Sequence, residues 1–180
     1  MKNIVLGVTG SIAAYKAADL ANRLTKEGHT VNVVMTKNAR EFVAPLTFST
    51  LTKRPVYTDS FADTPDYDVE HIGLAKGADI VVVAPATANV IGKIAGGIAD
   101  DLLTTVTMAA AGYGKPLLIC PAMNTAMYEN PIVKKNIEKL AALGYGFAEP
   151  RESVLACGDL GKGALADTDD IIKAIEAKLT

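Results

Sequence analysis

The run Asp79-Ile-Val-Val-Val-Ala84 decides the fold. It is β-branched and continuous, and Gly77 and Pro85 bound it. Branched side chains suit a pleated surface, and a strand apolar at every position has both faces buried. An antiparallel strand with one wet face would alternate instead. Asn3 to Val8, Thr30 to Met35 and Pro116 to Cys120 have the same character. Amphipathic stretches separate them. Ala14, Ala17, Ala18, Ala21 and Leu24 recur at helical spacing with Lys16, Asp19, Arg23 and Lys26 between them, and Gly28 is the stop.

The same spacing predicts helices over 39–44, from Pro45 onward, over 90–95 and 101–111 on either side of Gly96-Gly97, over 132–143, and over 169–179. In the 132–143 helix Val133, Ile137, Leu140 and Ala141 are expected on one face. Gly146 to Ala148 reads as a last strand, 53–70 as a short strand at most and then a loop, and 151–168 as irregular and glycine-rich. Apolar strands alternating with helices imply an α/β domain with a doubly wound parallel sheet covered on both faces. Ligands of such sheets bind beyond the carboxyl ends of the strands. The loops after Val8, Met35, Ala84 and Cys120 are therefore the ones to search.

Composition narrows the function. Of 180 residues, 49% are apolar and 21% charged, enough for a real core and too apolar for disorder. The net charge of −2 offers no basic excess for nucleic acid. No stretch of about 18 apolar residues predicts a membrane helix, and no leader pattern precedes the first strand, so a cytoplasmic protein is expected. Two cysteines do not make a disulfide scaffold, and no metal-ligand spacing occurs.

The first loop, Gly7-Val-Thr-Gly10-Ser11-Ile12-Ala13, joins a strand to a helix whose N-terminal N–H groups suit an anion. A tight turn alone would explain its glycine and serine. The glycine spacing is not that of a dinucleotide fingerprint, and Met35-Thr36-Lys37 offers no acid to a ribose, so a mononucleotide phosphate fits better. In Pro85-Ala-Thr-Ala-Asn89-Val90, Thr87 can cap the next helix, which leaves Asn89 unexplained. In Pro121-Ala-Met-Asn124-Thr-Ala-Met127-Tyr128, the Asn124 amide can bind a carboxylate without adding charge, while Met127 alone reads as core filler. Cys157 stands in a glycine-rich surface loop, and Cys120 is a buried small hydrophobe. His29 reads as exposed; His71 is either structural or a general base.

Four segments, GSIAAYK at 10–16, PATANVIGKIAGGIADDLL at 85–103, PAMNTAMY at 121–128 and ACGDLGKG at 156–163, resemble the homo-oligomeric flavin-containing cysteine decarboxylases. The resemblance spans about residues 3 to 175. It implies a flavodoxin-like, Rossmann-type three-layer sandwich that binds FMN. Gly10, Ser11 and Ile12 are implied at the phosphate region, and Thr36, Lys37, Asn38, Thr87, Ala88, Asn89, Val90 and Ala122 around the rest of the cofactor. His71, Asn124 and Cys157 are the implied catalytic residues, Asn124 binding the substrate carboxylate and Cys157 giving the last proton. Val154, Ala156 and Met127 are implied substrate contacts, with a flexible flap around 150–166 on a single domain of residues 1–180.

The implied reaction is FMN-dependent decarboxylation of 4′-phospho-N-pantothenoylcysteine to 4′-phosphopantetheine in coenzyme A biosynthesis. Direct loss of carbon dioxide would leave an unstabilised carbanion. Oxidation of the thiol-bearing carbon to a thioaldehyde places the carboxylate β to a C=S group, and decarboxylation then gives an ene-thiol that the flavin reduces back. The implied assembly is a homotrimer, often four of them in a dodecamer, with flavin between subunits. The implied partner is a small-molecule substrate, with no nucleic acid and no membrane. A ligase on a separate polypeptide is expected to make the substrate. Two positions depart from the family: Tyr128 where Trp is frequent, and Ala164 where many members carry Arg. Alternatives are a peptidyl-cysteine oxidative decarboxylase, which lacks the reducing cysteine, a flavin prenyltransferase, which lacks PAMNTAM, and a non-catalytic flavoprotein regulatory subunit.

Overall fold

A computed structural model describes residues 1–58, 70–154, 158 and 160–179. The elements run β1 (Asn3–Val8), α1 (Ala14–Lys26), β2 (Thr30–Met35), a 3-10 turn (Lys37–Glu41), α2 (Pro45–Thr52), β3 (Val56–Tyr57), α3 (Glu70–Gly77), β4 (Ile80–Ala86), α4 (Ala88–Gly96), α5 (Leu102–Gly112), β5 (Leu117–Pro121), α6 (Thr125–Tyr128), α7 (Pro131–Ala142), β6 (Gly146–Phe147), β7 (Arg151–Val154), β8 (Leu160–Ala164) and α8 (Thr168–Leu179).

The expected parallel sheet is present. Its strand order is β3-β2-β1-β4-β5-β6, and every neighbouring pair is parallel. Successive side chains on a strand point to opposite faces, and the core divides accordingly. Ile4, Leu6 and Val8 pack with Leu20 and Leu24 of α1, Phe48 of α2 and Ile171 and Ile175 of α8. Val5, Val81 and Val83 pack with Leu74 of α3, Val90 and Ile91 of α4, Leu103 and Val106 of α5 and Leu140 of α7. The result is a three-layer, flavodoxin-like sandwich. The chain reverses its direction of winding between β1 and β4, where a doubly wound sheet opens a crevice for ligands.

Four local readings change. The 39–44 segment is a 3-10 turn at Lys37–Glu41, because Thr36 caps it and Pro45 disfavours helical geometry at the residue before it. Residues 151–154 and 160–164 form an antiparallel two-stranded unit instead of an irregular stretch. Ala141 is exposed, leaving Leu140 as the buried residue of α7. His29 is half-buried, and its Nδ1 is buried without a hydrogen-bond partner. No helix among the described residues is long and apolar enough to cross a membrane.

Candidate active site

The loops leaving β1, β2, β4 and β5, together with the β7–β8 unit, enclose a cavity of about 880 Å³. Ligand and cofactor sites run from about 300 to 1,000 Å³. Gly10, Ser11, Ile12, Thr36, Lys37, Asn38, Thr87, Ala88, Asn89, Val90 and Ala122 all line it. So do Asn124, Met127 and Val154. Ala156 and Cys157 lie outside the described residues. His71 stands half-buried on α3 and does not line the cavity of its own chain.

Hydrogen bonds fix each loop. The Ser11 N–H donates to the Thr9 carbonyl at 2.9 Å, and the Ser11 hydroxyl accepts from the Ala13 N–H at 3.2 Å. Thr9 is buried and spans the crevice: its hydroxyl donates to the Pro85 carbonyl at 2.7 Å and accepts from the Thr87 N–H at 3.2 Å. The loops after β1 and β4 are thereby held in one fixed relation. Gly10 permits the next approach. A Cβ there would stand 2.5 Å from the Asn38 Cβ, closer than real contacts allow. Thr36 accepts from the Ala39 N–H at 3.3 Å, and Thr87 caps α4 by accepting from the Val90 N–H at 3.3 Å. The starts of α1 and α4 thus both face the cavity, which favours negative charge in it.

The opposite wall carries Asn124, the N-cap of α6. Its Oδ1 accepts from the Ala126 N–H at 2.8 Å, so the side chain is oriented by its own turn. The Ala122 N–H donates to the Ala86 carbonyl at 3.0 Å and ties this turn to β4. The Met123 N–H donates to the Gly163 carbonyl at 2.9 Å and ties it to β8. A Cβ on Gly163 would strike the Met123 carbonyl, and one on Gly161 the Thr125 side chain.

Lys16, Lys93, Asp101, Arg151 and Ser153, which none of the sequence motifs singles out for a role, also line the cavity. Lys93 pairs with Asp100 at 2.7 Å and Asp101 at 3.2 Å. The Asp100 hydrogen bond raises the Lys93 ammonium above its ordinary value, and the same bond lowers the Asp100 carboxyl. Asp101 also caps α5, accepting from the Thr104 N–H at 2.8 Å. The signal was in the 85–103 segment itself, where a lysine and an aspartate stand one on each side of Gly96-Gly97. Arg151 donates from Nε to the Leu165 carbonyl at 3.2 Å and pairs with Asp167 at 3.0 Å. Cys120 is fully buried, and burial pushes its thiol well up, so it is chemically quiet. Among the described residues no group of three or more His, Cys, Asp or Glu side chains can hold a metal.

These surroundings fit a flavin. Ala13, Ala88, Val90, Ala122 and Leu165 give a small, largely apolar wall, and the Gly10 cradle beside the α1 N-terminus suits a phosphate.

Comparison with known proteins agrees. The Flavoprotein family profile matches residues 1–180. The probable phosphopantothenoylcysteine decarboxylase of Streptococcus mutans is 51% identical over 178 residues, covering 99% of this chain and 99% of that protein. The coenzyme A biosynthesis bifunctional protein CoaBC of Bacillus subtilis is 50% identical over 97% of this chain, which spans 42% of that longer protein. Among solved structures, a cysteine-to-serine variant of a PPC decarboxylase, complexed with pantothenoylaminoethenethiol, has a TM-score of 0.89 at 36% identity, over 98% of this chain and 97% of that one. The FMN-binding protein AtHal3 has a TM-score of 0.85 at 36% identity, over 98% of this chain and 95% of that one. The chain belongs to the Flavoprotein family, and its cofactor is a flavin.

Proposed function

We propose that this protein decarboxylates 4′-phospho-N-pantothenoylcysteine to 4′-phosphopantetheine, with FMN as the flavin, in the cytoplasm. The observation that carries the reading is one cavity that joins the Gly10–Ile12 loop, the Thr87–Val90 segment and Asn124. The streptococcal relative, matched over nearly the whole of both chains, supports the substrate.

In this account the Gly10–Ile12 loop holds the FMN phosphate, and Thr36, Lys37, Asn38, Thr87, Ala88, Asn89, Val90 and Ala122 surround the rest. Bound FMN supplies the two-electron oxidation of the thiol-bearing carbon and returns the hydride at the end. Asn124 holds the substrate carboxylate with a neutral amide. A charged partner would stabilise the carboxylate against leaving; an amide orients it at lower electrostatic cost. Met127, Val154 and Ala156 contact the pantothenoyl part, and the 150–166 segment acts as a flap on one domain of residues 1–180. Cys157 donates the final proton.

His71 enters the site from a neighbouring copy. The cavity mouth is rimmed by exposed apolar side chains, Ile12, Tyr15, Met127 and Val154, which a second subunit would cover. A homotrimer with flavin between subunits, assembled further into a dodecamer, is the proposed form.

The test offers purified protein both phosphopantothenoylcysteine and a peptide ending in cysteine. Carbon dioxide release from the small molecule alone supports the reading. Release from the peptide alone contradicts it in favour of a peptide-modifying enzyme.

A further inference from the structure

A polar cluster outside the cavity binds β8 to the turn that carries Asn124. Lys162, on β8, pairs with Glu149 at 2.8 Å. Glu149 also accepts from the Tyr128 hydroxyl at 3.2 Å, through the same oxygen. The Lys162 ammonium lies 5.6 Å from the Tyr128 ring centroid, and the Lys134 ammonium lies 4.2 Å from it. Tyr128 is buried at 4% exposure and closes α6, the one-turn helix that Asn124 opens. The strand carrying Lys162 includes Gly161 and Gly163, whose missing side chains let β8 lie against Thr125 and the Met123 carbonyl. Gly163 and Ala164, at the end of that strand, and Leu165 just beyond it line the cavity.

We infer that Tyr128, Glu149 and Lys162 are positioning residues: their shared hydrogen bonds set where β8 sits relative to Asn124, and thereby how efficiently the decarboxylated intermediate is reduced. The inference rests on the function proposed above. The two glycines make the β8 contact close but supply no side chain to fix it along the turn. A backbone bond from Met123 supplies one point of attachment. The Tyr128–Glu149–Lys162 group supplies a second, through the Lys162 side chain, and two points define a register where one leaves a pivot. Cys157 stands in sequence between β7 and β8, so the register of the pair governs the reductive half of the cycle more than the decarboxylation itself.

The electrons balance as follows. Oxidation of the substrate moves two electrons to the flavin, and loss of carbon dioxide leaves the ene-thiolate. Protonation at the carbon that lost carbon dioxide restores C=S, and hydride return to the thiol-bearing carbon gives the saturated thiol. If the ene-thiol leaves early, those two electrons stay on the flavin.

The experiment is an anaerobic single turnover of the FMN-loaded protein, reading carbon dioxide, the ratio of saturated to unsaturated product, and the fraction of flavin left reduced. Hydrogen exchange of residues 160–164 in protein without substrate gives a readout independent of turnover. For Lys162→Gln and Tyr128→Phe, carbon dioxide release should stay within about twofold of the parent, while the saturated-to-unsaturated ratio falls by about fivefold, the effect of one charged, partly exposed hydrogen bond. Exchange in β8 should rise. Lys162→Arg, which keeps the charge, should restore the ratio. An unchanged ratio in both Lys162→Gln and Tyr128→Phe overturns the inference. If the parent protein itself releases no carbon dioxide from this substrate, the function fails instead, and the two failures are told apart by the parent alone.

Discussion

Gly163 accepts the backbone N–H of Met123 at 2.9 Å, one residue before Asn124 in the chain, and its lack of a side chain is what permits the contact. The bond fastens the β7–β8 unit to the turn on which the proposed carboxylate-binding side chain sits. Both sides of the cavity are therefore built on backbone contacts between glycine and a neighbouring loop, Gly163 on one wall and Gly10 on the other.

Gly163→Ala should break the first contact. The added methyl meets the Met123 carbonyl, which is backbone and cannot swing aside. Overpacking of this kind costs about 1–3 kcal/mol. Urea unfolding should show that loss, and turnover should fall with it. Parent-like stability and turnover would contradict the packing described here.

Gly10→Ala should act on the cofactor. The methyl would be forced against Asn38 and push the 36–38 loop away from the crevice. Flavin affinity should weaken by about tenfold, within the range of an overpacked contact. Titration of the flavin-free protein, followed by flavin fluorescence, measures it; unaltered affinity would remove the Gly10 loop from the flavin site.

Asn124→Asp tests the carboxylate site. The variant keeps the shape and the acceptor for the Ala126 N–H, and adds a negative charge beside the substrate carboxylate. Like charges brought together cost several kcal/mol, so kcat/KM should drop by about a hundredfold. Unchanged binding of the acidic substrate would exclude the assigned role.

Cys120 makes a prediction about pH. Burial raises its thiol, so the native state keeps a proton that the unfolded chain loses above about pH 8.5. The raised value means its stabilising effect is fully present below that pH and declines as pH rises, by up to about 1.4 kcal/mol per pH unit. Urea unfolding of parent and Cys120→Ala, compared from neutral to alkaline pH, should show the variant weaker at neutrality but less steeply dependent on pH. Parallel curves would mean the thiol titrates alike in both states.

The sheet was legible in the sequence because its strands are buried on both faces. Ile80 to Val83 and Ile4 to Leu6 need no partner information to be read as parallel strands. The β7–β8 pair was not legible. Arg-Glu-Ser-Val and Leu-Gly-Lys-Gly-Ala carry charges and glycines where a strand pattern wants branched apolar residues, and the pairing is fixed by contacts with residues 123–125, far away in sequence. The residues of the four loops that line the cavity were legible because they follow the carboxyl ends of strands. Lys93 and Asp101 were missed because their relation runs across the Gly96-Gly97 break, where no helical period connects them. His71, implied as catalytic by the family resemblance, stands on α3 and is not among the residues that line the cavity.

The most direct test of the central claim is the mass of the product made from phosphopantothenoylcysteine by FMN-loaded protein, with and without Cys157→Ser. The parent should lose carbon dioxide alone, giving 4′-phosphopantetheine, and the variant carbon dioxide plus two hydrogens, with the flavin left reduced. Release of the dehydrogenated product by the parent, or intact substrate after incubation with bound flavin, would contradict the claim.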